Sequence, residues 1–275
     1  MKLRLVTLSE DRVIAPGLIG QQGLSILVES NGACTLFDTW QGISTVHNAD
    51  VLGIDLGKLD RIVLSHGHSD HTGGLHNVLG RIRKKDMEII AHPDIWKSKY
   101  VRDRFVGIPH QREELERLGA KFRLTKQPMK ITDNISTTGE IPMVTEFEGL
   151  SSKMLVKEGT EWKPDKVLDD QALVVNTNRG LIVILGCAHR GAINTIYHAQ
   201  KLTEKKQIYM VLGGCHLNSP DSGPQIEATI NVLKELDVQK IAVSHCTGLP
   251  ASIRMAQAFG DKFIFNNAGT VITID

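Results

Sequence analysis

The sequence has no run approaching the ~20 consecutive apolar residues of a membrane-spanning helix, and its opening, MKLRLVTLSEDR, lacks the apolar stretch of a secretory leader. A cytoplasmic location is the expectation. Cysteine is scarce: Cys34, Cys187, Cys215 and Cys246 are four in 275 residues, too few and too scattered for a disulfide framework. Reduced thiols are expected. Net charge is nearly absent, since 32 Lys and Arg against 31 Asp and Glu leave +1, and such a chain has no field to recruit nucleic acid or an anionic membrane without sequence specificity. The expected partner is therefore a small molecule, with no nucleic acid and no membrane; composition leaves the oligomeric state open.

Hydrophobic residues make up 41% and charged residues 23% of the chain, the balance of a globular protein with a sizeable core. Short β-branched runs bounded by turn residues alternate with stretches of helical period, which predicts an α/β fold. Strands are expected over 3–8, 25–28, 34–37, 61–64 and 88–91, and again over 172–176, 181–185, 208–212, 240–243 and 263–265. Helices are expected over 44–52, 74–83, 192–202, 225–236 and 251–258. Both halves place strands before polar or glycine-containing turns, which suggests two similar layers packed face to face. We read 1–275 as one domain, with a lid or substrate-loop region over about 96–170 that is more charged and less periodic. Within it 111–118 reads as a short exposed helix and 149–166 as an excursion from the core.

The stretch RIVLSHGHSDHTGGL carries the chemistry. An apolar strand ends and is followed by His66, His68, Asp70 and His71, at the kind of strand end where α/β sites are built. Imidazole and carboxylate together suit Zn²⁺, Fe or Mn²⁺, and three such ligands plus an open position activate water. Gly73 and Gly74 are expected to let the chain leave the cluster sharply. Further on, His189 in GCAHRGAIN and His245 in SHCTG each follow a predicted strand, as does His216 in LGGCHLNSP, which can line the pocket, coordinate a metal or hold a substrate anion. Cys187, Cys215 and Cys246 lie close to these histidines and read either as thiolate ligands or, preferably, as small buried hydrophobes. His47, His76, His92, His110 and His198 have no ligand-like setting and read as surface or cap residues, with His110 open to a substrate contact.

His-x-His-x-Asp-His after an apolar strand resembles the signature of the metallo-β-lactamase superfamily. The resemblance implies an αββα sandwich, two mixed sheets face to face with helices outside, and two divalent ions, zinc first. It implies His66, His68 and His189 on one ion and Asp70, His71 and His245 on the other; Asp70, and His216 from its place after a strand, are our candidates for catalytic roles. Asp38 in LFDTW resembles a segment whose Asp braces the metal histidines. The usual bridging Asp has no obvious counterpart; Cys187–His189 occupies its place, and either water alone or Asp169 or Asp170 spans the ions.

Other stretches, GLSILVE, TTGEIP, LDDQALVV and LGGCHL among them, resemble the branch named for 7,8-dihydropterin-6-methyl-4-(β-D-ribofuranosyl)aminobenzene-5′-phosphate synthase. Trp40, Met143 and Cys215 depart from that branch and bear on the substrate more than on the metals. The implied reaction is hydrolysis or group transfer at a phosphate- or ester-bearing small molecule. A non-catalytic metal or ligand sensor and a di-iron redox protein are the alternatives; the latter usually carries Glu where this chain has His68 and needs a flavin domain.

Overall fold

In the computed structural model, which describes residues 2–275, the chain divides into two units. The first takes the chain up to Lys126 with Ser151–Asp169 and Asn267–Asp275; the second takes Gln127–Leu150 and Asp170–Asn266. In chain order the strands are β1 (Leu3–Ser9), β2 (Ser25–Ser30), β3 (Ala33–Phe37), β4 (Arg61–Val63), β5 (Met87–Ala91), β6 (Ser98–Val101), β7 (Arg104–Phe105) and β8 (Ala120–Leu124), then β9 (Ile135–Thr137), β10 (Met154–Glu158), β11 (Glu161–Pro164), β12 (Leu173–Thr177), β13 (Gly180–Leu185), β14 (Ile208–Gly213), β15 (Lys240–Val243), β16 (Phe263–Phe265) and β17 (Val271–Ile274). The helices are α1 (Ser44–Val51), α2 (Ser69–Thr72), α3 (Leu75–Ile82), α4 (Arg112–Arg117), α5 (Ala192–Thr203), α6 (Gly223–Glu235) and α7 (Leu249–Phe259).

The first unit holds a sheet in the order β17-β1-β2-β3-β4-β5-β8. Its β17 to β3 side is antiparallel and its β3 to β8 side parallel, so the ends of β3 and β4 lie next to each other on one edge. The parallel strands are short apolar runs buried on both faces, as sheets covered by helices require. In α3 the residues Leu75, Val78, Leu79 and Ile82 recur at helical spacing and are buried with Leu36, Ile62 and Ile89.

A second, four-stranded sheet, β11-β10-β6-β7, belongs to the same unit. The expected loop region is thus partly strand. Periodicity does not reveal it because these strands are two to five residues long and carry Lys99, Lys157 and Lys163. The excursion is the β10–β11 hairpin. The helix expected over 111–118 is α4, and it is not wholly exposed: Leu115 is fully buried.

The second unit has the sheet order β16-β15-β14-β13-β12-β9, with β13 to β16 parallel and β12 and β9 antiparallel to their neighbours. Every residue of β13 is buried. Ile193 and Ile196 of α5, Ile226 and Ile230 of α6 and Met255 of α7 close the apolar cluster around it. Each strand and helix expected in the sequence is present with bounds within two residues. Among the described residues no helix is long and apolar enough to cross a membrane.

Candidate metal centre

In the first unit the C-terminal ends of β3 and β4 deliver Asp38 and His66, and the single turn of α2 delivers Asp70 and His71. Asp38 is completely buried and in the left-handed region at φ 61°, a strained conformation that a non-glycine residue keeps only where its surroundings enforce it. The enforcement is visible. Ser65 N–H donates to Asp38 Oδ1 at 2.7 Å and Ser65 Oγ–H to Oδ2 at 2.7 Å, while His71 Nδ1 lies 2.6 Å from Oδ2. Having spent its one proton on Asp38, Ser65 Oγ accepts from His66 Nδ1–H at 2.8 Å. The relay therefore places the lone pair of both His66 and His71 on Nε2. His66 Nε2 in turn converges on His68 Nδ1 at 2.9 Å, and the His66 and His71 rings are 4.3 Å apart. Burial pushes the His68 imidazole down to about 3, so it is neutral at physiological pH, as a ligand must be. Asp70 is half-buried, with Gln22 Nε2 at 3.5 Å.

The loop is held from behind by a buried ion cluster that the sequence does not announce. Lys99 Nζ on β6 donates to Asp165 Oδ2 at 2.9 Å and Asp169 Oδ1 at 2.8 Å, and the other oxygen of Asp169 accepts from Gly67 N–H at 2.7 Å, between His66 and His68. Lys99 is 1% exposed. Burial works to lower its pKa, but the two carboxylates outweigh it and raise it. Gly67 can be nothing larger, since a Cβ there would sit 2.5 Å from Ile95 O. Gly73 and Gly74 stand where α2 ends and α3 begins, the exit expected of them, and they make it at helical φ values of −65° and −78°. The need at Gly74 is space, because a Cβ would meet Thr39 O at 2.0 Å.

In the second unit, β13, β14 and β15 end side by side and deliver Cys187 and His189, His216, and His245 with Cys246. Ala188, His216 and His245 have φ of 51°, 49° and 52°, so each strand end makes a strained turn at the same edge. His216 N–H donates to Cys246 Sγ at 3.3 Å, Cys246 Sγ–H to Cys187 O at 3.6 Å, and Cys215 N–H to Thr247 Oγ1 at 3.0 Å. The His189 and His216 rings are 4.3 Å apart. His216 Nδ1 is buried with no hydrogen-bond partner among the described residues. Two donor sets have all their ligating atoms within 4.8 Å of one another: Cys187, His189 and His216, and Cys187, His245 and Cys246. Asp170 Oδ2 accepts from Arg190 N–H at 2.8 Å, steadying the turn after His189. The buried Glu148 caps α5 by accepting from Ile193 N–H and Asn194 N–H, both at 2.8 Å.

Residues 18–245 match the sequence profile of the metallo-β-lactamase superfamily. The chain belongs to that superfamily. The chain is 34% identical to the 7,8-dihydropterin-6-methyl-4-(β-D-ribofuranosyl)-aminobenzene-5′-phosphate synthase of Methanocaldococcus jannaschii, over 98% of this chain and 96% of that one. A second protein of the same organism, named only as uncharacterized, is 32% identical over 98% and 100% of the two chains. Among solved structures, Tm1679, described as a metal-dependent hydrolase of the β-lactamase superfamily, superposes with a TM-score of 0.87 at 28% identity, covering 99% of each chain.

Within this superfamily fold, the first unit gathers the predicted His66, His68 and His71 with Asp38, and the second gathers His189, His216 and His245. Of the other histidines, His92 Nδ1 caps the turn Pro93–Trp96 by accepting from Asp94 N–H, and His47 Nε2 lies 2.7 Å from Gly17 O. His110 stacks on His76 with its Nε2 2.9 Å from Gly73 O. Trp40, the departure two residues after Asp38, is buried and donates its indole N–H to Gln21 O at 3.0 Å. Ser65, Lys99 and Asp165 also hold the site together, the latter two without any ligand-like motif around them in the sequence. Only Ser65 had a signal, a hydroxyl beside the first motif histidine.

Proposed function

We propose that this chain is a metal-dependent hydrolase or transferase acting on a phosphate-bearing small molecule. His66, His68 and His189 hold one divalent ion and Asp70, His71 and His245 a second. The observation that carries this reading is the buried relay from Asp38 through Ser65 to His66 and directly to His71. Fixing which imidazole nitrogen keeps its lone pair is how a protein prepares histidine ligands for a metal. The donor chemistry fits Zn²⁺ first, with Fe and Mn²⁺ as alternatives. Bound there, such ions supply Lewis acidity and bring the pKa of a coordinated water toward ~7.

The chain's own residues supply the rest. Asp38 and Ser65 orient two imidazoles, the Lys99 cluster fixes the loop that carries them, and Asp70 combines ligation with holding the proton of the attacking group. His216 binds the substrate anion through the imidazole edge that bears Nδ1, and loops of 96–170 meet the rest of the substrate. The synthase relative supports transfer as the specific reaction. The arylamine nitrogen of a phosphorylated aminobenzene riboside bonds to an activated pterin as pyrophosphate leaves; in hydrolysis water replaces the arylamine.

The test is to load the protein with zinc and follow two reactions, condensation of a dihydropterin pyrophosphate with the aminobenzene riboside phosphate and cleavage of a simple phosphodiester. Turnover in either arm is expected and names the class. Bound zinc with no turnover in both contradicts catalysis and favours a sensor. In the productive arm, His216→Ala is expected to keep its metal and raise KM ~10–100-fold, the worth of a hydrogen bond to a charged group. Loss of metal in that variant makes His216 a ligand and removes its assigned role.

A further inference from the structure

The superfamily resemblance leaves this chain without an obvious bridging carboxylate, and the two acidic residues that stand nearest in sequence are engaged elsewhere. Asp169 spends one oxygen on Lys99 and the other on Gly67 N–H. Asp170 is buried with Oδ2 on Arg190 N–H. Cys187 is differently placed. Its Sγ is the one atom common to the two donor sets of the second unit, the set with His189 and the set with His245, each within 4.8 Å.

We infer that the Cys187 thiolate bridges the two ions, in the place where a carboxylate would serve. The inference rests on the proposed assignment of His189 and His245 to different ions. A thiolate has lone pairs for two cations, and zinc and iron take sulfur readily. The competing reading, a small buried hydrophobe, holds for Cys215, which packs in the apolar cluster of the second unit with its thiol pushed up to about 12 by burial. Cys187 is outside that cluster, and within the second unit its sulfur shares donor sets with His189, His216, His245 and Cys246. Cys246 has a lacing role of its own: it accepts from His216 N–H and donates to Cys187 O, tying the ends of β13, β14 and β15 together.

Cadmium-113 NMR of the protein loaded with two cadmium ions tests this without reference to activity. Two resonances in the thiolate range are expected, both moving to the nitrogen and oxygen range in Cys187→Ser, and both staying in the thiolate range in Cys246→Ser. Movement of only one in Cys187→Ser makes Cys187 a terminal ligand and overturns the bridge, as does movement of either in Cys246→Ser. If Cys187→Ser does not fold, zinc X-ray absorption of Cys246→Ser, in which Cys187 is the sulfur donor left in these sets, decides. One sulfur per zinc at ~2.3 Å supports a bridge; half a sulfur or none contradicts it. Two ions bound through nitrogen and oxygen alone would overturn the bridge and leave the proposed function standing, whereas failure to bind two ions takes both down.

Discussion

His68→Ala is expected to strip the protein of its ions and abolish turnover in both assays. His68 N-caps the α2 turn that carries Asp70 and His71, and its Nδ1 converges with His66 Nε2 at 2.9 Å. Truncation therefore removes a donor from one ion while leaving the backbone that presents the second ion's ligands. Outer-sphere partners of metal histidines already cost ~10–100-fold in metal affinity when lost; a direct ligand is expected to cost more than about 100-fold. Elemental analysis after gel filtration, with circular dichroism to show an intact fold, is the check. Full metal content in folded His68→Ala would remove His68 from the ligand set.

Lys99→Met is expected to be the most destabilising single change in the first unit, by about 3–5 kcal/mol, the cost of leaving buried charges without their partner. Asp165 and Asp169 remain in an interior where Lys99 is 1% exposed and both carboxylates are buried. The pKa of Lys99 is raised in the folded chain. Its contribution is thus fully present below the ordinary lysine value and lost only as pH rises through the higher folded value. The stability gap between the two proteins should accordingly be level from weakly acid to weakly alkaline pH. Denaturant titrations across that range measure it. A gap under about 1 kcal/mol would mean that the cluster is no more than a surface-like ion pair. Because Asp169 also holds Gly67 N–H, the variant is expected to bind metal more weakly even where it folds.

The parts of this site that were legible in the sequence are those in which consecutive residues do one job. His66, His68, Asp70 and His71 occupy a span of six residues just past one strand end, and the strand that leads into them is a short apolar run. His189, His216 and His245 were each visible as a histidine just past such a run. The Lys99 cluster was not, because its partners lie 66 and 70 residues away along the chain and no local pattern links a lysine to distant aspartates. That is also why Asp169 read as a possible bridge between ions when its oxygens serve Lys99 and Gly67. The reason for Gly74 is hidden in the same way: its constraint comes from Thr39 O, brought against it by the fold. The small sheet of β6, β7, β10 and β11 escaped notice because strands this short, with lysines on them, imitate loop composition.

The most direct test of the account is anomalous diffraction at the zinc edge from a crystal of the zinc-loaded protein. Two peaks are expected, one ligated by His66, His68 and His189 and the other by Asp70, His71 and His245. Peaks confined to surface side chains, or none on these imidazoles, would contradict it.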